Sequence, residues 1–431
     1  MEHTLNRMHH AAFQGVAFTL GFTALIVQLL FVRELMNFYA SNELILGGVF
    51  AVWMLLVALG ATLGRVFAKH QRLLSPLPIL FLIYNILPLL IFFLLRIFRN
   101  TFFSPGVLIG FEDVMLVSFI FLAFFCLLSG FAFTSLAQIY SFKTGLNNTS
   151  KVYYWETAGS VVAGLLFTFV FVKFFNAFQI LRIVSLLALI IVVVWTLLFK
   201  NKFLLVLAFL LMISIVLSFN VNIDRYTKRL FYKHQILAVD EDTPHGQLAI
   251  TLTYAQWNIY ECGSLVYTSD DPALAEEKVH YAMWQHPEPH NVLLIGGGLS
   301  GTIKELLKYK DVQISYADYN EYIVRLARQT GLMPDSLINV CLGDPVRTLK
   351  KDSSAYDVII LDIPEPLTLF YNRFYTASFF KSVANHLNPK GVLLLSLQNP
   401  GAYMSTEILA LQSIVYNTLH TAFNEVSIIP S

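Results

Sequence analysis

Seven stretches of this chain are long and apolar enough to cross a lipid bilayer, and no other feature restricts its fold so strongly. A spanning helix needs about 20 mostly apolar residues. Such stretches run over residues 11–32, 44–64, 73–95, 114–139, 157–172, 180–199 and 203–219. The fifth is the shortest. Pro76, Pro78 and Pro88 are expected to kink the third, which a helix bundle tolerates when neighbours satisfy the freed carbonyls. With 56% hydrophobic residues, 13% charged residues and a mean hydropathy of +0.62, the chain reads as a membrane protein carrying a soluble part. The first apolar stretch is too long for a cleaved signal peptide and is expected to stay as an anchor.

Charge divides along the same line. Up to Val221 there are 13 Lys/Arg against 6 Asp/Glu, and from Asn222 onward 16 against 22, so the net +1 separates into +7 and −6. An acidic soluble half argues against a nucleic-acid partner, because phosphate binding needs a basic surface. It suits a small cationic substrate. Cys126, Cys262 and Cys341 have neither disulfide nor metal-ligand spacing, so no metal site is expected. Loop Lys/Arg residues number 8 on the N-terminal side of the membrane and 9 on the other, and the positive-inside rule decides nothing. Gln28, Arg33, Glu34, Asn85 and Glu156 fall within or at the edges of the spans. Intramembrane charge is costly, and Arg33 and Glu34 are expected to pair.

Beyond the last span, 224–233 reads as a charged connector. Short β-type runs follow at 235–239, 247–253, 257–261 and 264–268, the last two joined by Cys262-Gly263 as a tight hairpin turn. Residues 272–285 carry an apolar helical face. The pattern then alternates: strand 291–295, helix 301–309, strand 312–317, helix 321–331, strands 338–342 and 356–361, helix 376–387, strand 391–398. Alternation of this kind means βαβ units, a Rossmann-like α/β domain with a mainly parallel sheet. Ligands of such sheets bind beyond the carboxyl ends of the strands.

The strand ends carry the chemistry. The first runs NVLLIGGGLSG, where Gly296, Gly297, Gly298 and Gly301 allow a tight turn and close approach of a ligand to the backbone. The second ends at Asp318, placed to bond ribose hydroxyls. The third ends at Gly343-Asp344, an acid that can accept from an adenine amino group, which dinucleotide dehydrogenases do not need and S-adenosyl sulfonium binders commonly use. The fourth, VIILDIPEP, ends in Asp362 and Glu365. Two carboxylates at a pocket mouth can hold a cation and take a proton from it.

These residues, with YECGSLVYTSDD, AEEKVHYAMWQHP, GDPVRTL and NRFYT, resemble the spermidine synthase (polyamine aminopropyltransferase) family, and specifically its bacterial membrane-fused members. GFTALIVQLLFVREL and YYWETAGSVVAGLL resemble the fused membrane part more loosely. The resemblance implies transfer of an aminopropyl group from decarboxylated S-adenosylmethionine to a diamine. It implies Asp362 as catalytic base and Glu365 as the second amine-binding acid. Asp318 would take the ribose and Asp344 the adenine end. Gln247 would lie at the donor, and His280 and Tyr375 at the amine, a plain structural role for His280 staying open. The chain departs from the family pattern at Leu299 and Glu365, where aspartates are usual, and at 364–371, which lacks a Gly-Pro-Ala lid sequence.

The expected organisation is a helical membrane bundle over 1–221, a β-hairpin subdomain over 234–270, and the Rossmann-like domain over 271–431 without the family's last strand. Expected partners are a small cationic amine, the lipid bilayer and, optionally, a second copy of the chain. The expected location is the inner (cytoplasmic) membrane, multi-pass, with the soluble domain in the cytoplasm, where a nucleoside donor would be met. Two other readings stay open: a catalytically degenerate nucleoside or polyamine sensor, and a polyamine transporter with a regulatory cap.

Overall fold

The computed structural model describes residues 2–38, 43–67, 77–102, 110–144, 147–198, 201–269, 272–334, 337–351, 353–366, 368–397 and 406–429. Pro76 and Gln398, which enter the expectations above, lie outside the described residues. Two compact units form. One holds Met1–Thr251 with Glu261–Ser264, the other Leu252–Tyr260 with Leu265–Ser431.

The first unit is mostly helical: α1 (Glu2–Phe38), α2 (Glu43–Phe67), α3 (Leu77–Phe102), α4 (Phe111–Thr144) and α5 (Thr149–Leu166). A π-helical turn, Phe167–Phe171, carries α5 into α6 (Val172–Phe174), and α7 (Ala177–Leu198), α8 (Lys202–Ser218) and α9 (Ile223–Phe231) follow. Six helices among the described residues are long and apolar enough to cross a membrane, where seven were expected. The difference lies in α8, which reaches span length only together with α9, and the two are bent by 61°. Large apolar side chains such as Met54, Phe169, Phe203 and Leu217 stand exposed on these helices, as a lipid-facing surface requires.

Helices pack closely here because glycines remove the side chain at the crossings. A Cβ on Gly21 of α1 would lie 2.0 Å from the Glu156 carbonyl oxygen of α5, and one on Gly159 of α5 2.0 Å from that of Phe18. Between α2 and α4 the corresponding approaches are 2.1 Å at Gly60 and 2.0 Å at Gly130. Close backbone approach is the main source of helix association where lipid is as apolar as leucine.

The intramembrane polar residues find partners across helices. Thr23 donates to Asn85 at 2.9 Å, and Asn85 donates to the Phe81 carbonyl at 2.7 Å. Glu34 pairs not with Arg33 but with Arg96 of α3, whose guanidinium also reaches Asp224 of α9 at 2.7 Å. Arg33 donates instead to the Thr243 carbonyl. Lys228 of α9 then holds Asp224, Asp240 and Asp242 at 2.9, 3.0 and 2.9 Å. The stretch expected as a connector is therefore a helix. Asn222 caps it by accepting from the Arg225 amide, and two of its charges, Asp224 and Lys228, face an ion-pair network instead of water, while Arg225 and Arg229 are exposed.

Strands β1 (Ile236–Thr243), β2 (Gly246–Thr253), β3 (Gln256–Glu261) and β4 (Ser264–Thr268) form an antiparallel sheet in that order. Cys262 and Gly263 turn the last hairpin with φ of 48° and 80°, the left-handed pair of a type I′ turn. Helix α10 (Ala273–Trp284) leads into β5 (Asn291–Gly296), α11 (Thr302–Leu306), β6 (Gln313–Asp318), α12 (Glu321–Gln329), β7 (Ile338–Leu342), α13 (Pro345–Lys351) and β8 (Tyr356–Asp362). After β8 come α14 (Leu369–Asn372), a 3-10 turn (Arg373–Tyr375), α15 (Ala377–Ala384), β9 (Leu387–Leu395) and α16 (Thr406–Leu419). The five strands β7-β6-β5-β8-β9 form a parallel sheet, as the alternation predicts. Its central strands are buried along their length, as at Val292, Leu294, Tyr316, Val358 and Ile360, because helices cover both faces. Helix α13 was not anticipated, although Asp344 before Pro345 is a common helix start. Asp344 accepts there from the Val346 amide at 3.1 Å.

Asp357 closes the amino end of the sheet, accepting from the His290 and Asn291 amides at 2.8 and 2.9 Å and from the Asn388 side chain at 2.7 Å. Burial pushes its carboxyl up, but these bonds outweigh it and hold the group below its ordinary value.

Two predictions follow from this packing. Gly159→Leu lowers the stability of the detergent-purified chain by about 1–3 kcal/mol, whereas Gly47→Leu, with nothing within 4 Å, leaves the melting temperature unchanged; equal melting temperatures would contradict the crossing. Asp357→Asn costs about 1–3 kcal/mol at neutral pH. Because the native carboxyl is held low, that contribution is present above the unfolded carboxylate pKa of about 3.9 and is lost as pH falls through the lower folded value. Thermal melts of both proteins across this range should therefore converge in acid.

Candidate active site

Strand β5 lies between β6 and β8, so the crossovers leave it in opposite directions and open a crevice beyond its carboxyl end. The register pairs Gly296 with Asp362 across that opening. The acid predicted from the fourth strand and the glycines predicted from the first thus meet at the topological switch point.

The glycine run is explained residue by residue by what stands against it. Gly296 and Gly297 have φ of 75° and 71°, a region costly for any residue with a Cβ. A Cβ on Gly296 would lie 2.6 Å from the Asp362 carbonyl oxygen, one on Gly297 2.2 Å from the Asp362 carboxylate, and one on Gly298 2.1 Å from the Tyr316 hydroxyl. Gly301, at φ 83°, leaves room for the Tyr267 ring. The turn is therefore shaped around Asp362 and around Tyr316, which donates to Asp318 at 2.5 Å. The helix behind the turn is shorter than the expected 301–309, ending at Leu306.

Asp362 is nearly enclosed, its side chain 7% exposed. Oδ1 takes the Lys278 ammonium at 2.6 Å. Oδ2 takes the Ser300 and Thr302 hydroxyls at 2.5 and 2.7 Å. Burial alone would raise its pKa; the Lys278 charge and hydrogen bond, together with the two hydroxyls, outweigh burial and hold it below the ordinary value. The stabilisation from this pairing is full above the unfolded pKa and disappears as pH falls through the lowered folded one. Nearby, Tyr375 donates to the Pro364 carbonyl at 3.2 Å. Burial first, then the charges of Glu365 and Asp362, push its phenol up, so it stays a protonated donor at neutral pH.

Asp318 is buried and accepts from the Asn320 amide at 2.8 Å as well as from Tyr316. The Gly343 amide donates to the Asp318 carbonyl at 2.9 Å, which brings the ends of β6 and β7 together. Asp344, beside it, pairs with Arg373 at 3.0 Å. The Arg373 guanidinium also lies over Phe370, whose ring packs on Tyr319. The segment after β8 is thus tied to the ends of β6 and β7.

Two predicted residues have other partners. His280 pairs with the Tyr309 hydroxyl at 2.6 Å, lies 3.8 Å from Glu305 and stacks on Trp284. Gln247 belongs to the first unit, where its amide donates to Asp240 at 2.9 Å. Lys278, Ser300 and Thr302 were not anticipated. A lysine on an amphipathic helix reads as solvated, and Ser300 and Thr302 flank Gly301 within the loop already singled out. Lys278 and His280 stand roughly 200° apart around α10, which is why the first reaches Asp362 and the second faces Tyr309.

Residues 272–430 match the spermine/spermidine synthase domain family. The C-terminal part of the chain is thus a spermine/spermidine synthase domain, preceded, among the described residues, by six helices long and apolar enough to cross a membrane. The chain is similar to a polyamine aminopropyltransferase of Oceanobacillus iheyensis, 28% identical over 270 residues that cover 59% of this chain and 52% of the relative. It is also similar to one of Sulfolobus acidocaldarius, 29% identical over 168 residues, covering 36% and 54%. The chain spans about half the length of these curated relatives. A solved spermidine synthase in complex with the transition state analogue AdoDATO aligns at a TM-score of 0.40 and 20% identity, over 44% of this chain and 66% of that one.

The turn geometry makes a direct prediction. Gly331→Ala, at φ 74° with nothing within 4 Å, costs only the backbone term of about 1–2 kcal/mol. Gly297→Ala bears the same term and also displaces the Asp362 carboxylate, adding about 1–3 kcal/mol. Equal melting temperatures for the two variants would show that Gly297 does not make room for Asp362.

Proposed function

We propose that this chain is a membrane-anchored transferase that moves an aminopropyl group from decarboxylated S-adenosylmethionine to a diamine. The observation that carries the reading is Asp362, a nearly enclosed carboxylate at the switch point that holds an alkylammonium, that of Lys278, at 2.6 Å. A site that binds one such group has the charge and size to bind a substrate's.

In this reading the turn Gly296–Gly298 with Gly301, and the strand-end residues Asp318, Gly343 and Asp344, bind the nucleoside end of the donor. Asp362, Glu365, Tyr375 and His280 serve the amine. The amine nitrogen attacks the propyl carbon attached to the sulfonium, and the carbon–sulfur bond breaks with its electron pair going to sulfur. 5′-Methylthioadenosine leaves, and the proton shed by the amine passes to the Asp362 carboxylate. The sulfonium is already a good leaving group, so the protein's task is positioning and delivery of a neutral amine. The soluble domain then faces the cytoplasm, where such a donor is found, and the bundle sits in the cytoplasmic membrane.

A sensor without turnover is the second reading, favoured by Leu299. Its side chain is buried and apolar, so it offers no charge to the donor's aminopropyl tail. The two separate in one assay. Purified full chain given decarboxylated S-adenosylmethionine and 1,4-diaminobutane should form the triamine, and Asp362→Asn should lower kcat/KM by about 10²–10⁴-fold. A folded protein that forms no product contradicts the transferase reading and leaves the sensor.

A further inference from the structure

The amine is assigned to Asp362, yet that carboxylate is engaged on both sides. Oδ2 is turned into the glycine turn, with the Ser300 and Thr302 hydroxyls on it and the Gly297 backbone against it. Oδ1 is the remaining edge, and the Lys278 ammonium sits on it at 2.6 Å. A lysine ammonium and a primary alkylammonium are the same group, with the same charge and the same three donors. They contend for one oxygen atom, and sharing it would hold two like charges side by side on the same acceptor, which weakens the binding of each.

We propose that Lys278 is a tethered occupant of the acceptor-amine seat, so that the acceptor binds only as the lysine swings away. The proposal rests on the reading of Asp362 as the amine-binding carboxylate and adds what governs access to it. Lys278 is built for such exchange. It stands on α10, its side chain is 23% exposed against 7% for Asp362, and its flexible four-carbon stem can carry the ammonium out to water. Its departure does not orphan Asp362, which keeps both hydroxyls. The exchange also bears on the chemistry. While Lys278 is in place Asp362 has no edge free for the acceptor; once the acceptor's ammonium replaces the lysine's, an equal charge stands beside the carboxylate, and the proton within its reach is the acceptor's own. Lys278 thereby sets how strongly an acceptor must bind before the carboxylate becomes available as a base.

A merely supportive role for Lys278, holding Asp362 in position, predicts the opposite sign on mutation. Calorimetric titration of 1,4-diaminobutane into the full chain saturated with 5′-methylthioadenosine distinguishes them. Lys278→Met should tighten diamine binding about tenfold or more, the effect of removing one competing charged hydrogen bond. Lys278→Arg, which keeps a cation, should stay close to the parent, and the affinity for 5′-methylthioadenosine should not move. Equal or weaker diamine binding by Lys278→Met overturns the proposal. Adding Asp362→Asn to Lys278→Met tests the underlying reading separately. If diamine binding survives that double change, or if no variant binds diamine at all, the assignment of the amine to Asp362 falls and the proposal with it. If Asp362 is required but Lys278→Met brings no gain, only the role of Lys278 is wrong.

Discussion

The glycine turn at the carboxyl edge of the parallel sheet is arranged around one enclosed carboxylate, Asp362. A carboxylate taken out of water is tolerated only when it is paired and hydrogen-bonded, and each neighbour answers that requirement. Lys278 supplies the countercharge, Ser300 and Thr302 supply hydroxyl donors, and the glycines at 296 and 297 supply the space. The same turn positions the second acid, since Gly298 makes room for the Tyr316 hydroxyl that holds Asp318. One loop therefore packs against both acids.

The helical unit follows the same rule. Glu34, Arg96, Asp224 and Lys228 would each be prohibitively placed if alone, and none is alone. The chain of pairs runs from α1 through α3 to α9 and on to Asp240 and Asp242 of β1. Truncating a single member leaves an uncompensated buried charge, which is far costlier than the net worth of any one pair. Elsewhere the bundle relies on backbone contact at Gly21, Gly60, Gly130 and Gly159, the cheapest means of association where burying apolar surface gains nothing.

Much of this was legible in the residues and some was not, for identifiable reasons. The parallel sheet was legible because strand-type runs alternate with helical ones, and alternation admits one topology class. The position of Asp318, Gly343 and Asp362 at strand ends was legible because the apolar runs stop at them. Lys278 was not, because a lysine at helical spacing is indistinguishable from a solvated one until the helix is docked. Glu34 read as the partner of Arg33 because sequence exposes neighbours along the chain, whereas Arg96 lies a helix away. Helix α9 read as a connector because charge density in 224–233 is that of a loop in water, and only the network shows that two of its charges, Asp224 and Lys228, are buried. The glycine run was read as a cradle for a ligand's backbone approach; the structure adds that Asp362 and Tyr316 stand where Cβ atoms at Gly296, Gly297 and Gly298 would lie.

The central claim is that the strand-end acids form one site with a nucleoside end at Asp318 and an amine end at Asp362. Calorimetric titration of 5′-methylthioadenosine into the purified full chain tests it most directly. Saturable binding that is lost in Asp318→Asn and kept in Asp362→Asn is the result expected. The claim is contradicted if the parent protein, folded and monodisperse, shows no saturable binding, or if Asp362→Asn abolishes binding while Asp318→Asn retains it.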